Sequence, residues 1–259
     1  MLSKNKIKFV QSLHLKKYRQ KYNKIIVEGS KLCAEIIEHQ LADVLEVYAT
    51  SEFIKDYPKL QSYHTDVEVV TRAELKKVSA LNSPSSVLIV CQRPETRKTA
   101  SVDLMSHSLY LDGIRDPGNM GTIIRTADWF GMKTLLLSVD CVEVFSPKVI
   151  QASMGSVFRV DCKPITIDEL NSFKNHFQLI GASMEGFDIY AYSFAERSIV
   201  VLGNEGQGMR SEIMEMIDQT ISIPGGRKLG AESLNVGISA GIVMSEMARR
   251  EKPGIGNRV

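Results

Sequence analysis

The sequence lacks the features that mark membrane, secreted and metal-binding proteins. None of its apolar runs approaches the roughly 18 to 20 residues that a membrane-spanning helix needs, and its charged N-terminus has no apolar stretch typical of a secretory signal. The four cysteines include no Cys-x-x-Cys pair and the five histidines are scattered, which argues against a zinc site or a disulfide framework. With 44% apolar and 24% charged residues, the composition is that of a folded protein. We therefore expect a cytoplasmic protein with reduced thiols, no metal and no membrane contact.

Acidic residues are nearly absent from the N-terminal arm, residues 1–30, although the whole chain has a net charge of only +2. The arm contains eight basic residues and one acid, Glu28, and it also carries Tyr18 and Tyr22. Basic side chains interleaved with aromatic rings suit contacts with the phosphates and bases of a nucleic acid. The candidate phosphate contacts are Lys16, Lys17, Arg19 and Lys21. The alternative is an amphipathic helix whose lysines only keep it solvated.

Residues 24–91 alternate between strand and helix patterns and predict a small α/β domain. Ser30 is expected to cap a helix, and Thr71, followed three residues later by Glu74, predicts a capping box. The expected strands cover residues 25–29, 45–50, 67–70 and 87–92.

A polar segment without apolar periodicity, residues 93–103, is the predicted linker between two domains. We assign residues 1–97 to the first domain and residues 98–259 to the second. In the second domain, near-continuous apolar runs alternate with helical patterns, which predicts a parallel sheet covered on both faces. The expected strands cover residues 108–114, 134–139, 158–162, 178–184, 198–204 and 220–225. Ligands of such sheets bind beyond the carboxyl ends of the strands.

The first polar strand end lies in LDGIRDPGNMGTIIRTADWFG, residues 111–131. The strand is expected to end near Asp112, and Asn119 is expected to cap a helix that Gly131 terminates. Arg125 lies off the apolar stripe of this helix, so it either faces the loop or is an ordinary solvated side chain.

The second polar strand end, SIVVLGNEGQGMR at residues 198–210, places three glycines within six residues. This spacing lets the backbone approach a ligand closely. The order fits neither a dinucleotide fingerprint nor a P-loop, and the alternative is a flexible turn that carries a surface Glu205.

The third polar strand end lies within residues 221–250 and leads into a long helix. Ser233 is expected to open this helix, which is apolar nearly all round and is therefore predicted to be buried on several sides. Gly237 and Gly241 lie four residues apart, so we expect an unusually close backbone contact on one face of the helix.

Together the three segments resemble the ordered motifs of the SpoU (TrmH) family of RNA 2′-O-ribose methyltransferases, in the SPOUT superfamily. The matching stretches are DPGNMGTIIRTADWFG, VLGNEGQGM and ISIPGG…ESLNVGISAGI. The preceding region is similar to the L30e-like substrate-binding domain that often precedes this catalytic domain. The resemblance implies an α/β knot, in which residues from Gly203 onward thread a deep trefoil, and a homodimer with active sites near the subunit interface.

The resemblance also implies S-adenosylmethionine (AdoMet) as the cofactor. The implied cofactor contacts are Leu202, Gly203, Ile223 and Leu234, and the implied functional polar residues are Asn119, Arg125, Glu205, Ser233 and Asn235. Because a guanidinium stays protonated, we expect Arg125 to bind a phosphate and stabilise the developing 2′-alkoxide instead of acting as a base. The loop 224–233, with Arg227 and Lys228, is expected either to touch RNA or to pack differently from shorter versions.

The expected reaction is AdoMet-dependent methylation of a ribose 2′-hydroxyl in RNA. The separate N-terminal domain favours ribosomal RNA over tRNA, and a tRNA enzyme is the first alternative. Two other classes stay open, namely a non-catalytic RNA-binding protein of the same fold and an α/β protein that binds another small ligand. Three motifs in order and filled polar positions argue against both, and binding of AdoMet discriminates between an enzyme and a pure RNA-binding module.

Overall fold

Two separate β-sheets divide the chain into two units. The structure, a computed structural model, describes residues 2–62, 66–95, 107–225 and 233–251. The first unit contains the residues up to Glu95 together with Glu143–Arg159, and the second contains the rest. Most of the predicted linker, residues 93–103, lies outside the described residues, and so does the predicted domain boundary after residue 97.

The first unit is built on a four-stranded mixed sheet. Its elements are α1 (Lys4–Ser12), α2 (Lys16–Tyr22), β1 (Lys24–Glu28), α3 (Ser30–His39), β2 (Val44–Ala49), α4 (Ser51–Asp56), β3 (Asp66–Val69), α5 (Arg72–Val78) and β4 (Val87–Gln92). The sheet order is β1-β4-β2-β3, in which β2 and β3 are parallel and the other pairs are antiparallel. Each strand coincides with a predicted run to within one residue, so the predicted α/β character of this unit is confirmed.

Local hydrogen bonds explain where two helices of the first unit begin. The Thr71 hydroxyl accepts from the Glu74 N–H at 3.2 Å and the Glu74 carboxylate accepts from the Thr71 N–H at 2.9 Å, which confirms the capping box of α5. The prediction that Ser30 caps α3 is wrong, because the N-cap position is taken by Gly29, whose φ of +116° suits glycine. Ser30 Oγ instead forms a hydrogen bond of 2.8 Å with Ser86 Oγ.

The second unit is built on a six-stranded parallel sheet. Its elements are β5 (Ser108–Leu111), α6 (Pro117–Phe130), β6 (Thr134–Ser138), β7 (Asp161–Ile165), α8 (Ile167–Ser172), β8 (Gln178–Asp188), β9 (Ser198–Leu202), α9 (Ser211–Met214), β10 (Gln219–Ser222) and α10 (Val236–Glu251). The sheet order is β10-β8-β9-β5-β6-β7, and every neighbouring pair is parallel. The predicted class, a parallel-sheet C-terminal domain preceded by a smaller α/β domain, is confirmed. The deep trefoil knot stays a prediction.

The segment Glu143–Arg159, which connects β6 to β7, belongs to the first unit. It contains α7 (Pro147–Ala152) and is tied to the N-terminal arm by an ion pair between Glu143 and Arg19. The prediction of a strand over residues 158–162 is wrong at its start, since Phe158 ends a short 3-10 turn and packs against Phe145. The strand β7 begins only at Asp161.

The central strands β5 and β9 are buried throughout, because apolar residues follow one another almost without interruption. Parallel pairing sets Leu111 opposite Leu202, so the carboxyl ends of the two strands lie side by side. Beyond the sheet, α10 packs against α6, where a Cβ on Gly237 would lie only 3.3 Å from Thr122 Cγ2. The predicted close contact is therefore confirmed at Gly237, whereas Gly241 has ordinary spacing to its neighbour.

All four cysteines are free thiols, and Cys33, Cys91 and Cys162 are buried. Burial raises the pKa of these three thiols and keeps them protonated. Within the described ranges, no helix combines the length and the apolar character that spanning a bilayer requires. In the same ranges, no three His, Cys, Asp or Glu side chains are grouped to hold a metal ion.

Candidate active site

The candidate site lies where β5 and β9 end and two loops leave the sheet. The first loop, residues 112–116, leads into α6, and the second, residues 203–210, leads into α9. The Asp112 N–H donates to the Leu202 carbonyl at 2.8 Å, so the two loops start side by side. This is the end of a parallel sheet at which ligands bind.

The start of α6 decides what the Asn119 side chain can do. Asp116 is the N-cap, and its carboxylate accepts from the Asn119 N–H at 2.8 Å, so the prediction that Asn119 caps this helix is wrong. Pro117 takes the first helical position, where its fixed φ and missing N–H are tolerated. The Asn119 side chain is therefore available for other partners. The predicted end of the helix at Gly131, with φ +77°, is confirmed.

Asn119 connects two segments that are distant in the sequence. Its amide nitrogen donates to Glu205 Oε1 at 2.5 Å, and its amide oxygen accepts from Asn235 Nδ2 at 2.9 Å. The Asn235 oxygen in turn accepts from the Gly237 N–H at 2.9 Å and thereby caps α10. Three predicted polar residues, one from each motif, form a continuous hydrogen-bonded chain, which we call the Glu205–Asn119–Asn235 chain.

The start of α10 differs from the prediction at two points. Ser233 does not open the helix, which begins at Val236 after the Asn235 cap, and Ser233 forms no hydrogen bond with any described residue. The apolar residues Leu234 and Ile238 are 48% and 54% exposed. The prediction that this segment is buried on several sides is therefore wrong for its first turn, because that face has no neighbour within the described chain.

Arg125 lies on the exposed face of α6 and stands apart from the Glu205–Asn119–Asn235 chain. It forms no hydrogen bond or ion pair with another residue of the described ranges. Trp129, four residues later on the same face, is 83% exposed. The structure thus unites three of the five predicted polar residues and leaves Arg125 and Ser233 separate.

The loop 203–208 is a hydrogen-bonded turn. The Asn204 N–H donates to the Gly208 carbonyl at 3.0 Å, and the Gly208 N–H donates to the Asn204 carbonyl at 2.8 Å. A Cβ on Gly203 would lie 2.3 Å from the Gly208 carbonyl carbon, so only glycine fits there. The Asn204 amide also donates to the backbone of the first loop at 2.9 Å. These bonds hold Glu205 beside the first turn of α6.

Beside this turn lies a cluster of ion pairs that no sequence motif predicted. Asp112 is 1% exposed and accepts from the Arg210 backbone N–H at 2.9 Å and from Arg210 Nε at 2.7 Å. Asp140 lies 3.5 Å from Arg210 Nη2 and accepts from Ser138 Oγ at 2.7 Å. The Ser138 hydrogen bond, with Arg210 and Arg115 nearby, lowers the pKa of Asp140. An acid at the end of a buried strand was the available signal, because a buried carboxylate needs a partner.

The four predicted cofactor contacts lie at the carboxyl end of the sheet or beside it. Leu202 closes β9 and Gly203 follows it, Ile223 follows β10, and Leu234 precedes Asn235. Ile223 is half-buried and Leu234 is about half exposed, so both leave apolar surface open to solvent. Residues 226–232, with Arg227 and Lys228, lie outside the described residues.

The predicted phosphate contacts of the N-terminal arm fall into two groups. Lys16, Lys17 and Lys21 are exposed on α2. Arg19 is 3% exposed, donates to the Leu13 carbonyl at 2.8 Å and pairs with Glu143 at 2.5 Å. The prediction that Arg19 contacts phosphate is wrong, because a buried and paired guanidinium is inaccessible to RNA.

Known sequences match both units. The sequence model of the SpoU rRNA Methylase family matches residues 106–245, and that of an MRM3-like substrate binding domain matches residues 4–88. The 23S rRNA (guanosine(2553)-2′-O)-methyltransferase RlmP of Bacillus subtilis is 28% identical over 92% of this chain and 94% of its own length.

Solved structures match nearly the whole chain. A protein of the TrmH family from Porphyromonas gingivalis has a TM-score of 0.82 at 35% identity and covers 96% of this chain and 99% of its own. The SpoU methyltransferase AviRb from Streptomyces viridochromogenes, solved with AdoMet, has a TM-score of 0.83 at 21% identity over 96% of this chain and 98% of its own. The second likeness shows the fold alone.

Proposed function

The chain belongs to the SpoU rRNA methylase family, and from that membership we propose that it transfers the methyl group of AdoMet to a ribose 2′-hydroxyl of RNA. The observation that carries the proposal is the Glu205–Asn119–Asn235 chain. It joins side chains that are 86 and 116 residues apart in the sequence, at the end of a parallel sheet where ligands bind.

Ribosomal RNA is the proposed substrate. RlmP, which matches nearly the whole chain, acts by its name on a guanosine of 23S rRNA. The first unit matches a substrate binding domain and exposes Lys16, Lys17 and Lys21. We therefore assign RNA recognition to the first unit. We place the reaction in the cytoplasm, which agrees with four free thiols.

AdoMet is the proposed methyl donor, and when bound it supplies an electrophilic sulfonium methyl group. Leu202 and Gly203 would hold it through backbone groups at the tight turn, where the chain can approach a ligand closely. Ile223 and Leu234 would cover its apolar parts, because both side chains present apolar surface beside the strand ends. AviRb, which was solved with AdoMet, has the same fold.

Transfer of the methyl group breaks its bond to the sulfonium sulfur and forms a bond to the ribose 2′-oxygen, so S-adenosylhomocysteine leaves, the hydroxyl proton passes to water, and negative charge develops on that oxygen. Arg125 is the proposed electrostatic partner, because a guanidinium stays protonated and can bind a neighbouring phosphate through a planar pair of donors. Asn119, held between Glu205 and Asn235, keeps the floor of the site rigid. Ser233, exposed before α10, is free to contact the substrate.

We propose that the protein works as a homodimer joined through the exposed face of α6. Trp129 and, at the start of α10, Ile238 expose large apolar surfaces that a second copy would cover. Arg125 lies on the same face, so this assembly places it at the subunit interface. Trp129→Glu should yield monomers by light scattering and abolish methyl transfer, whereas Val139→Glu, at another exposed apolar residue, should preserve both. A monomeric wild-type protein would contradict the assembly.

Methyl transfer tests the reaction directly. Labelled AdoMet is incubated with unmodified rRNA and separately with tRNA, and the RNA is then digested to nucleosides. We expect label in one 2′-O-methylnucleoside from rRNA alone. Label in tRNA alone would show that the substrate is tRNA and not rRNA. Binding of AdoMet without label in rRNA, tRNA or isolated ribosomal subunits would contradict catalysis.

A further inference from the structure

Three aromatic rings form a ladder on the N-terminal arm. The rings of Phe9 and Tyr22 meet edge to face with centroids 5.3 Å apart, and Tyr22 stacks on Tyr18 at 6.0 Å with planes only 10° apart. Phe9 packs against the hydrophobic core of the first unit, which fixes the inner end of the ladder. Tyr22 is 39% exposed and Tyr18 is half-buried, so the outer end faces solvent.

Ammonium groups flank each ring of the ladder. Lys17 Nζ lies 4.8 Å from the centroid of the Tyr18 ring, and Lys21 Nζ lies 5.4 Å from that of Tyr22. Lys24 Nζ lies 5.3 Å from the Phe9 ring and also 3.8 Å from Glu46 Oε1, so this lysine is already paired within the fold. Cations at these distances are attracted by the ring faces, so Lys17 and Lys21 stay beside the ladder when no anion is present.

The two lysines in the first turn of α2 oppose the stability of the helix, whereas Arg19 and Lys21 in its last turn suit the helix dipole. The segment KKYRQKY has no acidic residue, and its first turn carries Lys16 and Lys17, although the positive end of the helix dipole disfavours cations there. Lys17 and Lys21 are like charges four residues apart, which also destabilises a helix. No side chain caps the N-terminus. The buried Arg19, bonded to Leu13 and Glu143, holds the helix in place instead.

Helix stability therefore does not explain why Lys16 and Lys17 lie in the first turn, next to exposed rings, whereas binding of a polyanion with flat bases does. We propose that Tyr18 and Tyr22, with Lys17 and Lys21, form a platform on which unpaired nucleotides of RNA stack. The proposal rests on RNA being the substrate. Bases within a duplex are already covered on both faces, so the rings contribute only to unpaired segments, whereas the lysines attract any phosphate backbone.

Binding of a single-stranded and a double-stranded probe tests the platform. A labelled RNA of about 12 nucleotides and mixed sequence is titrated with the full-length protein, alone and annealed to its complement, at several salt concentrations. The variants are Tyr18→Leu and Tyr22→Leu, which keep apolar bulk, and Tyr22→Phe, which keeps the ring. Tyr57→Leu is the matched control, because Tyr57 is 37% exposed and stacks on Phe53.

We expect Tyr22→Leu to weaken single-strand binding about 5- to 100-fold, because stacking on one ring contributes that much per base. The salt dependence should stay unchanged, since no charge is removed. Duplex binding should change less than about twofold, Tyr22→Phe should behave as wild type, and so should Tyr57→Leu.

Three results would overturn the platform. The first is wild-type binding by both leucine variants, and the second is an equal loss on single strand and duplex. The third is competition by polyglutamate with the same affinity and the same dependence on Tyr22, which would identify a protein-docking surface. Calorimetric binding of AdoMet and methyl transfer by the same variants separate this proposal from the proposed reaction. Tyr22-dependent RNA binding by a protein without methyl transfer would refute only the reaction.

Discussion

Asp112 accepts three hydrogen bonds from Arg210, although 98 residues separate the two in sequence. Asp112 directly follows β5 and its carboxylate is almost fully buried. Arg210 follows the turn 203–208 and its guanidinium is partly exposed. One bond comes from the Arg210 backbone, so the pair fixes the main chain at the end of the loop as well as the side chain. The position of Glu205 therefore depends on an ion pair that is outside the family motifs.

Arg210→Ala should loosen this loop and leave a buried carboxylate without its guanidinium. We expect the free energy of unfolding to fall by about 2–3 kcal/mol, below the ~3–5 kcal/mol of a fully buried pair because Arg210 is partly exposed. Affinity for AdoMet should also fall, since Gly203 lies in the loop. Urea unfolding and calorimetry measure the two effects. The stability of Arg210→Lys should lie between that of the wild type and that of Arg210→Ala, because lysine keeps the positive charge but lacks the planar guanidinium with its several donors. Unchanged stability in Arg210→Ala would contradict the anchoring role.

Asn119→Ala should break both side-chain bonds of the Glu205–Asn119–Asn235 chain. We expect kcat to fall about 10- to 100-fold with little change in stability, because the residue is only half-buried and its backbone bond to Asp116 is kept. Asn119→Asp should lower kcat further, since it places a second carboxylate next to that of Glu205. Methyl transfer at saturating RNA is the measurement. Asn171→Ala, at an exposed asparagine of α8, is the control and should retain full activity.

Arg125→Lys tests whether a planar pair of donors is required. We expect kcat to fall by about 100-fold or more, while AdoMet affinity and stability stay unchanged because Arg125 has no partner among the described residues. Single-turnover methyl transfer and thermal unfolding are the readouts. Arg72→Lys, at an exposed arginine of the first unit, should be neutral. Near-normal turnover in Arg125→Lys would show that one point charge is sufficient.

The strands could be predicted because each is a run of apolar and β-branched residues between turn residues. The bounds of β4 agree with the prediction residue for residue. The start of β7 shows the limit, because Phe158 continues an apolar run but belongs to the first unit, where it packs against Phe145. The ion pair between Arg19 and Glu143, 124 residues apart, is likewise invisible to any local pattern. Contacts made only by the folded chain decide both cases.

The sequence motifs were sufficient to predict the polar residues of the site. They were not sufficient to predict which hydrogen bonds these residues form. Asp116 and Asn119 are both good caps in sequence, and Pro117 between them favours Asp116 because proline prefers the first helical position. This detail frees the Asn119 amide for its bonds to Glu205 and Asn235. Arg210 resembles an ordinary surface charge in sequence, and only the fold brings it to the end of β5.

The capping box of α5 should make the first unit sensitive to pH. Two backbone N–H groups, of Thr71 and Leu2, and the Thr71 hydroxyl lower the pKa of Glu74 from 4.5 to about 2. Because the folded pKa is the lower one, the charged carboxylate stabilises the folded state above pH 4.5, and this contribution disappears as the pH falls toward 2.

Glu74→Gln should therefore lower stability at pH 7 and matter progressively less below pH 4.5. An amide nitrogen cannot accept the Thr71 N–H, so one of the bonds is lost at every pH. Hydrogen exchange of amides in the first sheet, at pH 7 and pH 3, measures the difference. Glu52→Gln, at an exposed glutamate, is the control. A destabilisation of equal size at both pH values would show that the charge of Glu74 contributes nothing.

Neutralising the exposed lysines of α2 should affect RNA binding, whereas neutralising Arg19 should affect the stability of the fold. Changing Lys16, Lys17 and Lys21 together to Gln should weaken RNA binding and reduce its salt slope by about 2, because three phosphate contacts to a single strand are lost, while stability should not fall and should rise slightly as the repulsion within α2 is removed. Arg19→Gln should leave Glu143 buried without a counterion and lower the free energy of unfolding by about 3–5 kcal/mol. Its RNA binding, measured where the variant is still folded, should keep the wild-type salt slope. A reduced slope in Arg19→Gln would show that this guanidinium reaches phosphate after all.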